Sequence, residues 1–157
     1  TKPCLILSPD TTGAYVHYWS GRTRLCLKSC CDPCENENVP RWRGYVAVLN
    51  SVNRQCGLLE LTASCVPPIE QYMKEYGTLR GAIITLSRKG NVKNGEVSAV
   101  LVHKPNLGND YPPDVDVRRH LERIWRITHS PLRTEANTDA RTELRRNGLL
   151  GKPPATD

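Results

Sequence analysis

One histidine and four cysteines fall within eighteen residues near the start of this chain: His17, Cys26, Cys30, Cys31 and Cys34. The last two belong to the sequence CDPC, a CxxC turn of the kind that presents two thiolates to one metal ion. Cys26 lies close upstream and supplies a third thiolate. Because adjacent residues rarely point at the same metal, we take Cys31 over Cys30 and His17 as the fourth ligand. A set in which Cys30 replaces Cys31 or His17 is the alternative.

This ligand set predicts a structural zinc site. Three thiolates and an imidazole fill all four positions of a tetrahedral zinc ion, whereas a catalytic zinc keeps one position open for water. We therefore expect one structural Zn²⁺. Disulfide bonds are an alternative, but the seven cysteines are an odd number and the chain shows no signal-peptide run. Free or redox-active thiols are a third interpretation.

The other three cysteines stand singly in apolar surroundings. Cys4, Cys56 and Cys65 are therefore expected to be buried as small hydrophobic residues.

The length of 157 residues suits one domain. A hydrophobic content of 38% and the lack of phenylalanine predict a small core, which a structural metal would help to stabilise. We place the folded domain at residues 1–127, with a zinc subdomain at about 17–40. Residues 128–157 are polar and are expected to form a tail that recruits a replication or recombination protein.

The charge of the chain indicates the class of partner. A formal net charge of +6 and a pI of about 9.0 favour polyanions, with nucleic acid ahead of a membrane surface. No apolar run approaches the ~20 residues that a membrane-spanning helix needs. Reduced cysteines without an export signal predict an intracellular protein, in the nucleoid or in the cytoplasm of a host cell.

Five segments have the composition of β-strands, namely residues 13–19, 42–49, 57–62, 79–88 and 96–103. A helix between the third and fourth strands gives the element order of an OB-fold, a five-stranded barrel that binds single-stranded nucleic acid or sugars. We therefore predict an all-β protein, a five-stranded OB-fold with an inserted zinc-binding loop and a C-terminal helix. An α+β sandwich of another topology is the alternative.

Both predicted helices have recognisable ends. Pro67 and Pro68 suit the first turn of the helix that follows the third strand, and Gly77 suits a left-handed C-cap. The C-terminal helix is expected to open at Asp114 and Asp116. Its apolar face would consist of four residues at helical spacing, Val117, Leu121, Ile124 and Trp125.

The order of the proposed ligands, one histidine followed by three cysteines that end in CxxC, resembles that of the single-stranded-DNA-binding proteins of T-even-type phages. The resemblance is one of pattern and covers about residues 13–103. It implies an OB barrel with a zinc subdomain held by His17, Cys26, Cys31 and Cys34. It also implies a role in DNA replication, recombination or repair, and an origin in a virus or a mobile element.

Binding of single strands without sequence preference needs cations for the phosphates and flat side chains for the bases. Alternation along the second strand places Arg41, Arg43 and Tyr45 on one face, with Trp42 on the other, core-facing side. The first set reads either as a nucleic-acid contact or as an ordinary solvated face. Other basic residues could line the same groove: Arg22, Arg24, Lys28, Arg54, Arg80, Arg88 and Lys89.

Two other functions compete with single-stranded DNA binding. The chain could be an RNA-binding OB protein, or a zinc-knuckle module that binds proteins. We expect no enzymatic activity, because the sequence carries no P-loop, HExxH, nucleophile elbow or dinucleotide fingerprint. The residues after His17 are Tyr18 and Trp19, so the glutamate of the zinc-deaminase motif is missing.

Overall fold

The computed structural model of this chain describes residues 2–27, 31–91, 95–103 and 112–127. The predicted tail at residues 128–157 lies outside the described residues, as do Lys28 and Cys30.

The described elements are seven strands and three helices. The strands are β1 (Cys4–Ile6), β2 (Thr12–Trp19), β3 (Arg22–Leu25), β4 (Arg41–Asn50), β5 (Cys56–Thr62), β6 (Ala82–Arg88) and β7 (Val97–His103). The helices are α1 (Asp32–Glu35), α2 (Val66–Tyr76) and α3 (Val117–Trp125). Short 3-10 turns follow β5 and β6, at Ala63–Cys65 and Lys89–Asn91.

The seven strands form one antiparallel sheet. Its order is β3-β2-β4-β1-β6-β7, and β5 pairs with the other edge of β4. Among the described strands the sheet does not close into a barrel, because β5 and β7 each pair with a single neighbour. The prediction of an all-β protein is confirmed at this level.

The five predicted strands correspond to β2, β4, β5, β6 and β7, whereas β1 and β3 are additional. The sequence of β1 is only three residues long, and β3 is the polar sequence RTRL inside the expected zinc loop. Neither gives the alternating signal of a half-buried strand.

The long strand β4 organises the sheet. Its first half, residues 41–45, pairs with β2, and its last residues, 48–50, pair with β1. On its other edge, residues 43–49 pair with β5. Trp42, Val46 and Val48 face the core as the sequence predicts, but Tyr45, Ala47 and Leu49 on the opposite face are buried too. Helices cover both faces of the sheet.

Helix α2 covers one face, and its ends are the predicted ones. The two prolines lie in its first turn, and Gly77 ends it with a φ of 73°. Ile69 and Tyr72 are buried against β4 and β6, in one cluster with Val46 and Ile84.

Helix α3 covers the opposite face. Asp116 caps its start, because its carboxylate accepts a hydrogen bond from the backbone N–H of Arg119. Val117 and Leu121 are buried, and Trp125 meets the ring of Tyr45 edge-on at a centroid distance of 5.5 Å.

The prediction that Ile124 belongs to the buried face of α3 is wrong, since this side chain is 63% exposed. The buried stripe of α3 runs through every fourth residue, Val117, Leu121 and Trp125, and therefore turns about 40° around the helix at each step. In the last turn it has reached Trp125, about 100° around the helix from Ile124. Of the helices that the structure describes, none is long and apolar enough to cross a membrane.

Candidate metal centre

The site is built on a tight hairpin between β2 and β3. Ser20 and Gly21 form its turn with φ values of 50° and 77°, the positive pair that a type I′ turn requires. Val16 pairs with Arg41, the first residue of β4, so the hairpin extends beyond β4. We call this projecting part, residues 17–24, the hairpin arm. His17 lies at its base, and Cys26 follows β3 directly.

The other two candidate ligands lie at the start of the short helix α1 and within it. Cys31 precedes the helix, and its carbonyl accepts a hydrogen bond from the N–H of Cys34 at 2.8 Å. Pro33 is buried in this single turn, where its missing N–H costs no hydrogen bond. The turn brings both thiols of the CDPC sequence to the same side, as a zinc knuckle does.

His17, Cys26, Cys31 and Cys34 come together, with their ligand atoms all within 4.8 Å of one another. The sulfur of Cys34 lies 3.6 Å from the sulfur of Cys26 and 3.4 Å from Nε2 of His17. Sulfur atoms on a tetrahedron with metal–sulfur bonds of ~2.3 Å lie about 3.8 Å apart. The cluster therefore has the dimensions of a site for one metal ion.

The four side chains are withdrawn from water. His17, Cys31 and Cys26 are buried, and Cys34 is half-buried. Burial, together with the neighbouring thiols of Cys26 and Cys31, raises the pKa of Cys34 to about 12. Burial also opposes ionisation of Cys31, but hydrogen bonds from the backbone of Leu27 and Cys34 outweigh it and lower the pKa of that thiol. Three thiolates can share this space only if a cation balances their charge.

Asn38 orients the histidine. Its side-chain oxygen lies 3.3 Å from Nδ1 of His17, while its side-chain nitrogen donates to the carbonyl of Tyr18 at 3.2 Å. If Nδ1 carries the proton, as this contact favours, the lone pair of Nε2 faces the thiols and is available to a metal. The sequence analysis does not identify Asn38, because nothing in the local pattern marks it as a partner of His17.

The six described cysteines are free thiols. Cys4 and Cys65 are buried as predicted, but the prediction for Cys56 is wrong. Cys56 is exposed because it opens β5 at the rim of the sheet, directly after the loop that joins β4 to β5.

The basic residues predicted to contact nucleic acid fall into two groups. Arg22 and Arg24 on β3, and Arg41 and Arg43 on β4, lie at the metal end of the sheet. Arg54, Arg88 and Lys89 lie at the other end, since Cys4 pairs with both Asn50 and Ile84. At ~3.3 Å per residue, the ends of β4 are about 30 Å apart. One short groove cannot join both groups.

Two of the predicted contacts have structural roles. Tyr45 is only 6% exposed beneath Trp125, so the expectation that it faces a ligand is wrong. Its hydroxyl donates a hydrogen bond to the carboxylate of Glu60. Burial is the main cause that raises the pKa of Tyr45, and the negative charge of Glu60 raises it further. Arg80 donates to the backbone carbonyls of Leu7 and Pro112 and thereby ties the segment before α3 to the sheet.

Sequence reasoning also missed Tyr18, which is 72% exposed on the hairpin arm. Alternation could have identified it, because a strand that points His17 at a metal must point Tyr18 to the opposite face.

Comparison with known protein families, with characterised proteins and with solved structures finds no match to this chain.

Proposed function

We propose that this chain is a single-stranded-DNA-binding protein of the OB type, stabilised by one structural zinc ion and largely independent of sequence. The observation that carries the proposal is the position of the metal cluster. It supports the hairpin arm at the end of the sheet where Arg41 and Arg43 lie on the face that α3 covers. Arg22 and Arg24, which pair with Trp19 and His17, lie at the same end on the opposite face.

The donor set supports zinc as the metal. Three thiol sulfurs and one imidazole nitrogen at tetrahedral spacing match the Cys₃His sites of structural zinc, and soft donors exclude magnesium and calcium. All four positions are filled by protein, so the ion would hold the hairpin arm against α1 and leave no position for a reacting water.

The order of strand pairing supports an OB-type barrel. The first three predicted strands are β2, β4 and β5, and each pairs with the next. The last two predicted strands, β6 and β7, also pair with each other. Helix α2 stands between the third and fourth strands, and β1 joins β4 to β6. OB barrels are partly open, and their loop between the first two strands contacts oligonucleotides. The metal cluster is inserted in that loop.

Helix α3 adds positive charge to the same face of the sheet. Arg119, Arg123 and Arg126 are exposed on it. Trp125 at its end contacts Tyr45, and Arg43 is the next residue of β4 on that face. The helix therefore ends beside the arginines of β4, and both groups can contact one strand of phosphates.

Fluorescence anisotropy with labelled oligo-dT, a duplex of equal length and oligo-U tests the function. We expect oligo-dT to bind more tightly than duplex at every salt concentration. Equal or tighter binding of duplex, or no binding at low salt, would contradict the proposal. Tighter binding of oligo-U would assign the site to RNA.

Elemental analysis of the purified protein tests the metal. We expect one zinc per chain, lost in Cys34→Ser and kept in the matched variant Cys56→Ser, because Cys56 is an exposed thiol outside the cluster. Full zinc content in Cys34→Ser would show that the cluster is not the site.

A further inference from the structure

The side of the hairpin arm that faces away from the metal carries Tyr18. The side chains of His17 and Trp19 point to one face of β2, and that of Tyr18 points to the other. It is the most exposed large apolar side chain among the described residues, at 72%. A flat side chain this exposed on an otherwise well-packed strand is available for contact with another molecule.

Tyr18 lies next to a cation and a small polar residue. Thr23 is directly opposite it on β3 and is also exposed. Arg41 pairs with Val16, two residues before Tyr18 on the same face. Such diagonal neighbours have Cα atoms about 7–8 Å apart, which long and aromatic side chains can bridge. Arg41 itself is exposed, whereas Arg43 is held at 2.9 Å by Glu60.

The backbone that carries Tyr18 is fixed on several sides. The residue before it belongs to the metal cluster, its carbonyl accepts the hydrogen bond from Asn38, and the type I′ turn follows two residues later. Because this backbone is already held in place, binding does not have to order it, which favours affinity.

We propose that Tyr18 is the base-stacking platform of this protein, and that Arg41 beside it contacts the phosphate of the stacked nucleotide. This inference rests on the proposed binding of single-stranded DNA and names its contact surface. Tyr18 takes the stacking role that the sequence analysis gave to Tyr45. Both lie on the same face, but α3 covers Tyr45, whereas Tyr18 is exposed to a ligand. Stacking on tyrosine accepts any base, in keeping with binding that is independent of sequence.

The test compares the affinity for oligo-dT of wild type with that of Tyr18→Ala, Tyr18→Phe and Arg41→Ala. Loss of one stacked base weakens binding by about 5- to 150-fold, so we expect that loss in Tyr18→Ala and near wild-type affinity in Tyr18→Phe. Arg41→Ala should weaken binding several-fold and reduce its salt dependence. Lys74→Ala is the control and should bind as wild type does, because Lys74 is an exposed cation on α2, which covers the opposite face of the sheet.

Zinc content and thermal unfolding of each variant establish that the fold is kept, as expected for substitutions at exposed positions. Wild-type affinity in Tyr18→Ala, with wild type itself binding oligo-dT, would overturn this surface while leaving the proposed function in place. Failure of wild type to bind oligo-dT would overturn both.

Discussion

Gly44 lies where β4 leaves no room for a side chain. A Cβ atom at this position would lie 2.6 Å from Cη2 of Trp42 and 2.8 Å from Cγ2 of Thr11. The indole of Trp42 is almost fully buried, so it cannot move aside without disturbing the residues around it.

We therefore expect Gly44→Ala to destabilise the protein by about 1–3 kcal/mol, the usual range for overpacking a core. Gly57→Ala is the matched control, because a Cβ on this β5 residue would meet nothing within 4 Å. Urea denaturation of both variants measures the difference. Equal stability of the two variants would contradict the packing described around Trp42.

Because of Tyr45, we expect the stability of the folded protein to fall as the pH rises above about 10. Its pKa in the folded protein is raised by burial and by Glu60, while in the unfolded chain the phenol titrates near the ordinary value of about 10. Above that pH the unfolded state releases a proton that the folded state keeps, so ionisation favours unfolding. The contribution is fully present below about pH 10 and is lost as the pH rises further.

Tyr45→Phe removes this titration and keeps the ring against Trp125. We expect the free energy of unfolding to fall more steeply above pH 10 in wild type than in the variant, by up to about 1.4 kcal/mol per pH unit. Denaturant titrations from pH 8 to 11 measure it. Parallel profiles would show that the hydroxyl of Tyr45 is not buried in solution.

Among the elements, the hairpin arm depends most on a group outside the sheet. Its residues 17–19 extend past β4, and the cluster and Asn38 provide the remaining support on that side. Of the parts that form and support the arm, the four candidate ligands could be predicted from the sequence, but Asn38 and β3 could not. The spacing of the CxxC cysteines and their neighbours is a local signal for metal binding. Asn38 and β3 have no such signal, and only the folded structure shows their contacts with β2.

Replacement of Asn38 should loosen the metal site without removing a ligand. Loss of a partner that orients a ligating histidine typically weakens metal affinity 10- to 100-fold, so we expect this range for Asn38→Ala. Asn36→Ala is the control, because the side chain of Asn36 donates to the carbonyl of Asp32 and not to a residue of the cluster. Competition with a chromophoric zinc chelator measures both. Equal zinc affinity in the two variants would rule out this role of Asn38.

For the molecule as a whole, the positions of five of the seven described strands and the ends of α2 followed from local composition, since β-formers, prolines and Gly77 act within a few residues. Which helix covers which face of the sheet could not be predicted in this way. Alternation along β4 separates the side chains correctly into two faces, but it does not reveal that α3 covers the face of Tyr45. The same long-range packing divides the basic residues between two ends of the sheet. The sequence analysis, by contrast, placed them along one groove.

The most direct test of the account is the salt dependence of oligo-dT binding by the zinc-loaded protein. Each phosphate contact on a single strand contributes about −0.7 to the slope of log K against log salt concentration. With Arg41, Arg119, Arg123 and Arg126 along the proposed path, we expect a slope near −3 and a preference for oligo-dT over duplex throughout. A slope near zero, or duplex binding as tight as that of oligo-dT, would contradict the proposal that this protein binds single-stranded DNA.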